Sequence, residues 1–470
     1  MQEITYDVRV HKTQIYKGTK VTTYYVRWQV GSERLREPYR NAAQADAFRS
    51  ELLTATRKGE AFSLATGRPV SWAREDKAMT WFDFVCAYMD MKWPDLAGHS
   101  RRITATVLRD TTLALITADR NRPDEDLLKR ALTEWVLNTP RRKAGGPPEA
   151  LHAAVRWLRE NSGEVAALAE SETARKLLAA LSAKRDGSRA AASTVQRIRG
   201  VLVNTLEYAI VLKLLTKNTI RELPRRSAKA VKQIDKRTVV NPRQAQKLLE
   251  AVATQGKPMA KGSEDRTGRR LVAFFGVMYY AALRPEEAVN LRKHNLALPA
   301  EGWGELILEK ANPAPGAAWS NSGQRRDPGP LKHREEGETR VIPCPPELTR
   351  LLNDHLATQG TAADGRLFWA FQSESDLYES TYLRIWRGAR KAVLTPEEFA
   401  SSLAKRPYDL RHAAVSTWLN AGVAPTQVAE WAGHSVAVLL YVYAKCIEGQ
   451  EEVARRRITA ALEEGKDVGP

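Results

Sequence analysis

The side chains best suited to chemistry cluster near the C-terminus of the chain. Arg411 and His412 are adjacent in the segment D-L-R-H, His434 lies in A-G-H-S, and Tyr441 and Tyr443 follow it. A guanidinium group binds phosphate oxygens in a forked geometry. Histidine transfers protons near neutral pH, and a tyrosine hydroxyl can act as a nucleophile. Together these groups could bind a phosphate and attack it.

Three short helices should position these residues. Asp409 suits the N-cap of the first helix, Pro425 suits the first position of the second, and Gly433 suits its end. A third helical run places four apolar residues on one face, namely Val436, Leu439, Leu440 and Tyr443. A helix-turn-helix protein that reads DNA without any chemistry would show a similar pattern.

The spacing favours a catalytic interpretation. His434 follows His412 by 22 residues, and Tyr443 follows His434 by nine. This arrangement closely resembles the C-terminal motif of tyrosine recombinases (phage integrases), which cut DNA with a tyrosine and reseal it elsewhere. Tyr408 stands where that family usually has a histidine. The family spacing selects Tyr443 as the nucleophile, although helical periodicity alone makes Tyr443 the better core residue and Tyr441 the freer one.

A second arginine precedes this motif by more than a hundred residues. The apolar run LVAFFGVMYYAAL predicts a fully buried helix that ends before Arg284. Pro285 suits the start of a new helix, which places Arg284 on the turn between two helices. Taken alone, such an arginine is usually a cap or a surface ion pair. The segment A-L-R-P-x-E resembles the first arginine box of the family, with Glu287 as the acid that orients the arginine.

Two strands, GELILE (304–309) and ETRVIP (338–343), flank a long loop rich in Pro, Gly and Arg. The family carries an essential lysine in the corresponding hairpin, and the resemblance implies Lys332 for this role, with Lys310 as the competitor. Four further basic residues of the loop are expected to contact phosphates, namely Arg325, Arg326, His333 and Arg334.

The resemblance implies a role for each member of the set. Arg284 and Arg411 would hold the non-bridging oxygens of a DNA phosphate, where negative charge develops during attack. Tyr443 would form a 3′-phosphotyrosine bond. Lys332 would protonate the leaving 5′-oxygen, and His434 would donate a hydrogen bond to the phosphate. We expect no cofactor, because the covalent bond conserves the phosphodiester energy, and no metal, because the arginines stabilise the charge.

Two aromatic residues beside this set leave alternatives open. Tyr408 can donate a hydrogen bond to a phosphate but is a poorer base near neutral pH than imidazole. Either Tyr408 acts mainly as a hydrogen-bond donor, or His412 supplies the basic imidazole that Tyr408 lacks. We favour His412 as a structural histidine that braces neighbouring helices. A metal held by His412 and His434 has little support, since no carboxylate or cysteine stands at ligand spacing.

The rest of the chain predicts a mainly α multidomain protein. A small three-stranded sheet plus helix occupies 1–65, with strands at Tyr6–His11, Thr22–Val30 and Glu33–Tyr39 and a helix capped by Asn41. A linker is expected at about 61–77. The resemblance implies an arm-type DNA-binding domain at 1–65, a helical core-binding domain at 78–223 with an insertion at about 120–187, and a mixed α+β catalytic domain at 238–464.

A basic linker at 224–237 should join the last two domains. Residues 221–237 contain seven Lys or Arg and two acids. A charge run is usually a solvated linker, but one between two DNA-binding domains would also follow the phosphates. The residues expected to do so are Arg225, Arg226, Lys229 and Lys232. An amphipathic helix is expected at 448–464, packed either on a neighbouring protomer or on its own domain.

The bulk properties agree with a DNA-binding protein. The chain has 470 residues and a net charge of +18, which favours a nucleic acid as partner before a membrane. The sequence has neither an apolar run long enough to span a bilayer nor a signal-peptide pattern. Three scattered cysteines, Cys86, Cys344 and Cys446, are typical of free thiols in a reducing compartment. We therefore expect a cytoplasmic protein.

The resemblance implies a site-specific integrase that integrates or excises a mobile element in a bacterial host, at the nucleoid. It would bind double-stranded DNA at core and arm sites as a homotetramer, with an accessory DNA-bending protein or an excisionase as a further partner. The abundant Ala and Arg suit a phage or integrative element of a high-GC, for example actinobacterial, host. The alternatives are a type IB topoisomerase and a DNA-binding regulator with a dead site.

Overall fold

A computed structural model describes residues 4–18, 21–75, 79–116, 118–184, 186–224, 234–258, 267–370, 375–443, 455–456 and 458–459. The chain divides into two compact units. The first comprises residues 1–96 and 103–226, and the second comprises residues 97–102 and 227–470. Within the described residues, no helix combines the length and apolar character needed to cross a membrane.

The N-terminal sheet of the first unit is built around one long strand. Its strands are β2 (Val8–Val10), β3 (Gln14–Lys17), β4 (Thr22–Val30) and β5 (Glu33–Tyr39), and the short strand β1 (Ile4–Thr5) precedes them outside this sheet. Strand β4 pairs antiparallel with β2 and β3 along one edge and with β5 along the other. Val26, Trp28 and Val30 alternate into the core, as expected for a strand with one buried face. The three predicted strands are therefore present, and β3 is an addition to them.

A helix packs on this sheet as the sequence predicted. Helix α1 (Ala42–Arg57) begins at the cap Asn41, whose side chain accepts a hydrogen bond from the backbone N–H of Ala43 at 2.8 Å. Strand β6 (Phe62–Ser63) and helix α2 (Val70–Glu75) follow it. β6 pairs with β1, and Trp72 packs against the same core. The linker expected at 61–77 is therefore partly folded onto the N-terminal module.

A run of helices continues to residue 222, as the sequence predicted. Phe84 and Tyr88 of the third helix pack against Tyr208 of the ninth, with ring centroids 6.0 and 5.9 Å apart. The helices are α3 (Trp81–Lys92), α4 (Gly98–Leu115), α5 (Glu125–Ala131), α6 (Thr139–Ala144), α7 (His152–Glu160), α8 (Ser171–Leu181), α9 (Ala192–Val211) and α10 (Thr219–Glu222), with a π-helical turn at Leu132–Val136. The insertion predicted at about 120–187 contains α5 to α8.

The second unit mixes helices with short antiparallel strands. Its first elements are α11 (Pro242–Ala253), α12 (Val272–Tyr280), α13 (Pro285–Asn290), β7 (Leu296–Ala297), β8 (Gly304–Leu308), β9 (Lys310–Ala311), β10 (Gly329–Pro330) and β11 (Arg340–Cys344). It continues with α14 (Pro346–Gln359), β12 (Trp369–Ala370), β13 (Ser375–Asp376), α15 (Glu379–Val393), α16 (Pro396–Ala400), α17 (Tyr408–Asn420), α18 (Pro425–Ala432) and α19 (Val436–Tyr443).

The core of this unit surrounds α12. Seven of its nine residues, Ala273 to Tyr279, are buried, because the helix is apolar on every side. A three-stranded sheet in the order β11-β8-β7 packs into the same core through Leu306, Leu308 and Ile342. Strands β8 and β11 are the two that the sequence predicted. The predicted fold class, mainly helical with small sheets, is confirmed.

Two local predictions near the C-terminus need correction. Helix α17 begins at Tyr408, so Asp409 lies in its first turn and is not its N-cap. Its buried carboxylate still accepts a hydrogen bond from the backbone N–H of Arg406 at 2.8 Å. On α19 only Leu439 and Tyr443 are buried, whereas Val436 and Leu440 are exposed. The helix predicted at 448–464 lies almost entirely outside the described residues.

Candidate active site

The turn between α12 and α13 positions Arg284. Ala282 adopts a left-handed backbone conformation with φ of 52°, and Arg284 then takes the N-cap position before Pro285. The backbone N–H of Arg284 donates to Glu287 Oε2 at 2.8 Å, which is the return bond of a capping box. The side chain donates through Nη1 to Glu287 Oε1 at 2.7 Å and through Nη2 to the carbonyl of Gly433 at 2.9 Å. The predicted pairing of Arg284 with Glu287 is present.

A third arginine, which the sequence reasoning missed, completes this cluster. Arg340 begins β11 and forms a forked pair with Glu287, with Nη1 to Oε1 at 3.0 Å and Nη2 to Oε2 at 2.7 Å. Its side chain is buried on the same face of the strand as Ile342 and Cys344. A signal for it existed in the sequence, because period-2 alternation in ETRVIP places the arginine on the same face as the isoleucine.

Glu287 remains ionised in spite of its burial. Burial alone would raise the pKa of its carboxyl, but the guanidinium groups of Arg340 and Arg284 more than offset this and hold the pKa well below its usual range. Glu287 is therefore an anion that fixes two guanidinium groups beside each other.

Arg411 joins the cluster from α17 without an acidic partner of its own. It is completely buried and donates through Nη1 to the carbonyl of Ala282 and through Nη2 to the carbonyl of Ala432. Nη2 also lies 2.9 Å from His434 Nε2. Burial and the nearby charge of Arg284 lower the pKa of Arg411 to about 10, so it stays charged at neutral pH.

The cluster therefore carries an excess of buried positive charge. Two of the three guanidinium groups form ion pairs with one fully buried carboxylate, Glu287, and among the described residues no acid forms an ion pair with Arg411. The partly buried Glu286 interacts with Arg284 and Arg411 only through space. Three buried nitrogens of the site also have no hydrogen-bond partner in the described part of the chain, namely Arg340 Nε, Arg411 Nε and His434 Nδ1. Buried donors and charges of this kind are costly unless a ligand satisfies them. The arrangement suits an anion with several acceptor oxygens.

His434 is held in its neutral form. Burial, followed by the charges of Arg411 and Arg284, lowers the pKa of His434 to about 3. Because Arg411 has only N–H donors to offer, His434 Nε2 must be the acceptor in their contact, and the imidazole proton then resides on Nδ1. His434 follows Gly433, whose left-handed conformation (φ of 61°) ends α18 as predicted.

The tyrosine at position 443 lies against the two histidines. Tyr443 Oη is 2.9 Å from His412 Nδ1, and the Tyr443 ring centroid is 6.1 Å from that of His434. Tyr443 is 1% exposed, whereas Tyr441 is 52% exposed. His412 therefore bridges α17 and α19, as expected for a bracing histidine, and its imidazole nitrogen also contacts the predicted nucleophile.

Tyr408 belongs to the same group of side chains. Its ring packs edge-on against His412, with centroids 5.0 Å apart. Its phenol group also raises the pKa values of Arg284 and Arg411 slightly through electrostatic interaction, a smaller effect than burial or the charge of Glu287. The position where a histidine was expected is thus filled by a phenol that packs on His412.

The two candidate lysines occupy different surroundings. Lys332 is exposed and follows β10. Burial raises the pKa of Glu286, which is next to Glu287 in the chain, and the charges of Arg284 and Lys332 oppose this rise. Lys310 lies on β9 opposite Pro330 and lines a separate surface cavity with Arg292. This placement favours Lys332.

The loop residues predicted to contact phosphates divide into two groups. Arg326 is buried and donates to the carbonyls of Asn312 and Leu377 at 2.6 and 3.0 Å, which gives it a structural role in place of the predicted DNA contact. Arg325, by contrast, is exposed and lies over the ring of Tyr378 at 4.8 Å. The four linker residues predicted to follow the phosphates, Arg225, Arg226, Lys229 and Lys232, lie outside the described residues.

The chain was compared with protein families, with curated proteins and with solved structures. No protein-family profile and no curated protein matches the sequence. Solved structures do match. Several structural neighbours of the chain are integrases and site-specific recombinases.

Three of these neighbours were solved with DNA. The Tn1549 transposon integrase, in complex with a circular intermediate DNA, is 15% identical, with 71% of this chain and 99% of that chain covered and a TM-score of 0.47. XerH site-specific recombinase, bound to a palindromic difH substrate, is 15% identical over 75% and 94% of the two chains, with a TM-score of 0.43. A lambda integrase dimer bound to a COC′ core site is 12% identical over 91% and 93%, with a TM-score of 0.45. Identities and TM-scores this low do not establish a function, so any functional conclusion has to rest on the geometry of the site.

Proposed function

We propose that the protein is a tyrosine-type site-specific DNA recombinase, an integrase that cleaves and rejoins DNA through a 3′-phosphotyrosine intermediate. One observation carries the proposal. The hydroxyl of Tyr443 lies on His412, beside a buried cluster of three guanidinium groups that contains a single carboxylate. A cationic cluster next to a nucleophile suits attack on an anionic phosphodiester.

The chemistry follows from the charges of the site. Attack of Tyr443 Oη on phosphorus forms the tyrosyl–phosphate bond and breaks the bond to the 5′-oxygen of the DNA. Arg284 and Arg411 hold the non-bridging oxygens, where charge accumulates. Lys332 delivers a proton to the departing 5′-oxygen. A 5′-hydroxyl of a second strand then reverses the step and restores the phosphodiester.

Smaller contributions come from two neighbouring groups. Tyr408 donates a hydrogen bond to the phosphate, which fits its electrostatic influence on both arginines. His434 carries its proton on Nδ1, so its donation to the phosphate requires that nitrogen or a release of its contact with Arg411. Because Tyr443 is 1% exposed, DNA binding also has to open contacts of α19 before attack, while the contact of Tyr443 Oη with His412 is kept.

The N-terminal sheet supports a second DNA contact, at arm sites. Arg27 of β4 lies directly opposite Arg36 of β5, and both are exposed. Arg9 of β2 pairs with Gln29 on the same face of the sheet. Like charges opposite each other destabilise a sheet, and a polyanion laid across this face would relieve that repulsion. The basic linker at 224–237 would follow the backbone between the domains.

In this proposal the active assembly is a homotetramer on two DNA sites, with an accessory DNA-bending protein or an excisionase setting direction. The reaction takes place on the DNA of a bacterial host. Its biological result is the integration or excision of a mobile element.

Trapping of the tyrosyl intermediate tests the proposal. A suicide DNA substrate, nicked beside the cleavage point recovered from the junctions of the host element, is incubated with wild type, Tyr443→Phe and Tyr441→Phe. Wild type and Tyr441→Phe should give a covalent protein–DNA band on a denaturing gel, and Tyr443→Phe should give none. Loss only in Tyr441→Phe would keep the reaction and move the nucleophile.

The remaining outcomes correspond to the two alternative functions. Tight, salt-sensitive binding without any covalent band would support a DNA-binding regulator. Relaxation of supercoiled plasmid lacking an attachment site, by a monomer, would support a type IB topoisomerase. The assembled arginine cluster argues against the regulator, since a dead site has no need of three buried guanidinium groups.

A further inference from the structure

We infer that His412 is the general base that takes the proton of the Tyr443 hydroxyl during DNA cleavage and returns it during rejoining. The inference rests on the proposed function and assigns a catalytic role to a residue for which the sequence alone favours a structural role. It starts from the contact between Tyr443 Oη and His412 Nδ1 at 2.9 Å, which lies within the distance of direct proton transfer.

The other groups near the tyrosine are unsuited to accept its proton. His434 Nε2 accepts from Arg411, and its other nitrogen carries the proton. Tyr408 is a phenol and a poor base near neutral pH. Lys332 is needed in its protonated form for the leaving oxygen. His412 is therefore the one neighbour in this group with a nitrogen lone pair directed at the nucleophile.

The surroundings of His412 favour the form that a base requires. Burial, more than any neighbouring charge, lowers the pKa of His412 to about 4, so the ring is neutral at physiological pH and has a lone pair to accept a proton. The same shift makes it a weaker base, which the negative charge of a bound phosphate would offset by raising the pKa. With the proton on Nε2, Nδ1 is free to accept from the tyrosine. The edge-on contact with Tyr408, one helical turn earlier on α17, braces the ring in this orientation.

The proton transfer balances in both directions. As Oη bonds to phosphorus, its proton passes to Nδ1 and His412 becomes an imidazolium, while Lys332 gives a proton to the 5′-oxygen. In rejoining, a 5′-hydroxyl attacks the phosphotyrosine and loses its proton to Lys332. The imidazolium then protonates the departing Oη. The bound phosphodiester adds negative charge beside His412, which favours the imidazolium at the moment when it forms.

Several charged or titratable groups face His412 and enter any pH profile. Asp409 raises its pKa, whereas Arg406 and Arg411 lower it. The ring packs against Tyr408 of its own helix and against Tyr443 of α19. It also interacts electrostatically with His434, in the turn after α18.

The test measures single-turnover formation of the covalent band. His412→Ala should slow it about 10²-fold or more, the usual contribution of a general base. His412→Asn, which can still form a hydrogen bond but cannot take a proton near neutral pH, should be similarly slow. In both variants the rate should rise with pH toward the pKa of the phenol, whereas the wild-type rate should be level through neutral pH and fall in acid, where His412 becomes protonated.

A more acidic nucleophile distinguishes a general base from a structural residue. With a fluorinated tyrosine in place of Tyr443, the His412→Ala variant should form the covalent band at least tenfold faster than His412→Ala with ordinary tyrosine. The reason is that a more acidic phenol has less need of a base. A substrate with a 5′-bridging sulfur, which leaves without a proton, should rescue Lys332→Ala but not His412→Ala. Thermal unfolding and DNA binding of each variant show that the protein is folded.

Each contrary result has a distinct meaning. A His412→Ala rate within about threefold of wild type, or faster, would overturn the inference. A faster rate would indicate that His412 restrains the tyrosine. A loss in a folded, DNA-binding variant that the fluorinated tyrosine does not rescue would leave His412 a structural role. If wild type itself forms no covalent band, the proposed function is overturned, and the role of His412 in it falls as well.

Discussion

Glu287 is the residue that makes the arginine cluster possible. Its two oxygens accept hydrogen bonds from the side chains of Arg284 and Arg340 and from one backbone N–H. Without this anion, three guanidinium groups would repel one another in a site shielded from water. Removal of one partner from a buried charge network is strongly destabilising, because it leaves the other charges uncompensated.

We expect Glu287→Gln to reduce stability by about 3–5 kcal/mol at pH 7. Because the pKa of Glu287 is lowered in the folded state, its contribution is complete above the unfolded value of about 4.3 and is lost as the pH falls below it. The difference in urea midpoint between wild type and variant should therefore narrow in acid. Glu301→Gln, at an exposed position, serves as the control and should match wild type at every pH. A pH-independent difference would contradict this account.

At the residue scale, local patterns were informative where a residue's partner lies close in sequence. Arg284 and Glu287 are three residues apart across a helix start, so the motif contains both partners. Arg340 pairs with Glu287 across 53 residues, and Arg326 with Leu377 across 51. Their burial depends on how distant strands and loops meet. A basic loop residue that satisfies carbonyls in the interior therefore has the same local sequence as one that contacts DNA.

At the element scale, the backbone at the end of α18 lies close to two arginines of the cluster, Arg284 and Arg340. The carbonyl of Gly433 accepts from Arg284 Nη2, and the backbone adopts a left-handed conformation there. A methyl group on Gly433 would come within 2.5 Å of Arg340 Nη1, much closer than a normal contact. The glycine is therefore required for two reasons, its conformation and the close approach of a guanidinium group.

We expect Gly433→Ala to slow DNA cleavage at least tenfold, because it displaces Arg340 and with it the cluster. Gly360→Ala is the matched control. Gly360 also ends a helix with positive φ, but no atom lies within 4 Å of the position of its added methyl group. Both variants should lose about 1–3 kcal/mol of stability through backbone strain, but only the first should lose activity in the suicide-substrate assay. Equal activity of the two would contradict the close-approach argument.

The elements also show what the sequence could and could not predict. Helices α1 and α12 followed directly from a cap and from an uninterrupted apolar run. Strand β6 was missed, since it is two residues long and exists only because it pairs with β1 at the other end of the module. Helix α2 was missed as well, because a short segment after Gly67 and Pro69 has too few turns for periodicity to appear.

At the scale of the whole molecule, the dominant feature is an excess of positive charge. The net charge of +18 far exceeds what the buried cluster needs. Much of the excess must therefore lie on surfaces that meet solvent or DNA, as Arg27 and Arg36 of the N-terminal sheet do. Contacts of this kind supply affinity through release of counterions and carry no sequence information.

DNA affinity should therefore fall steeply with salt, by about 10³–10⁵ between 50 and 200 mM if the protein neutralises 6–10 phosphates. Replacement of the four predicted linker contacts, Arg225, Arg226, Lys229 and Lys232, by glutamine should reduce the slope of log affinity against log salt by about three to four. The reduction should be equal on attachment-site DNA and on random DNA, because phosphate contacts do not read bases. Cleavage of fully bound substrate should remain unchanged, since none of the four belongs to the catalytic set. An unchanged slope would mean that the linker is simply solvated, and a loss confined to the attachment site would mean that it reads sequence.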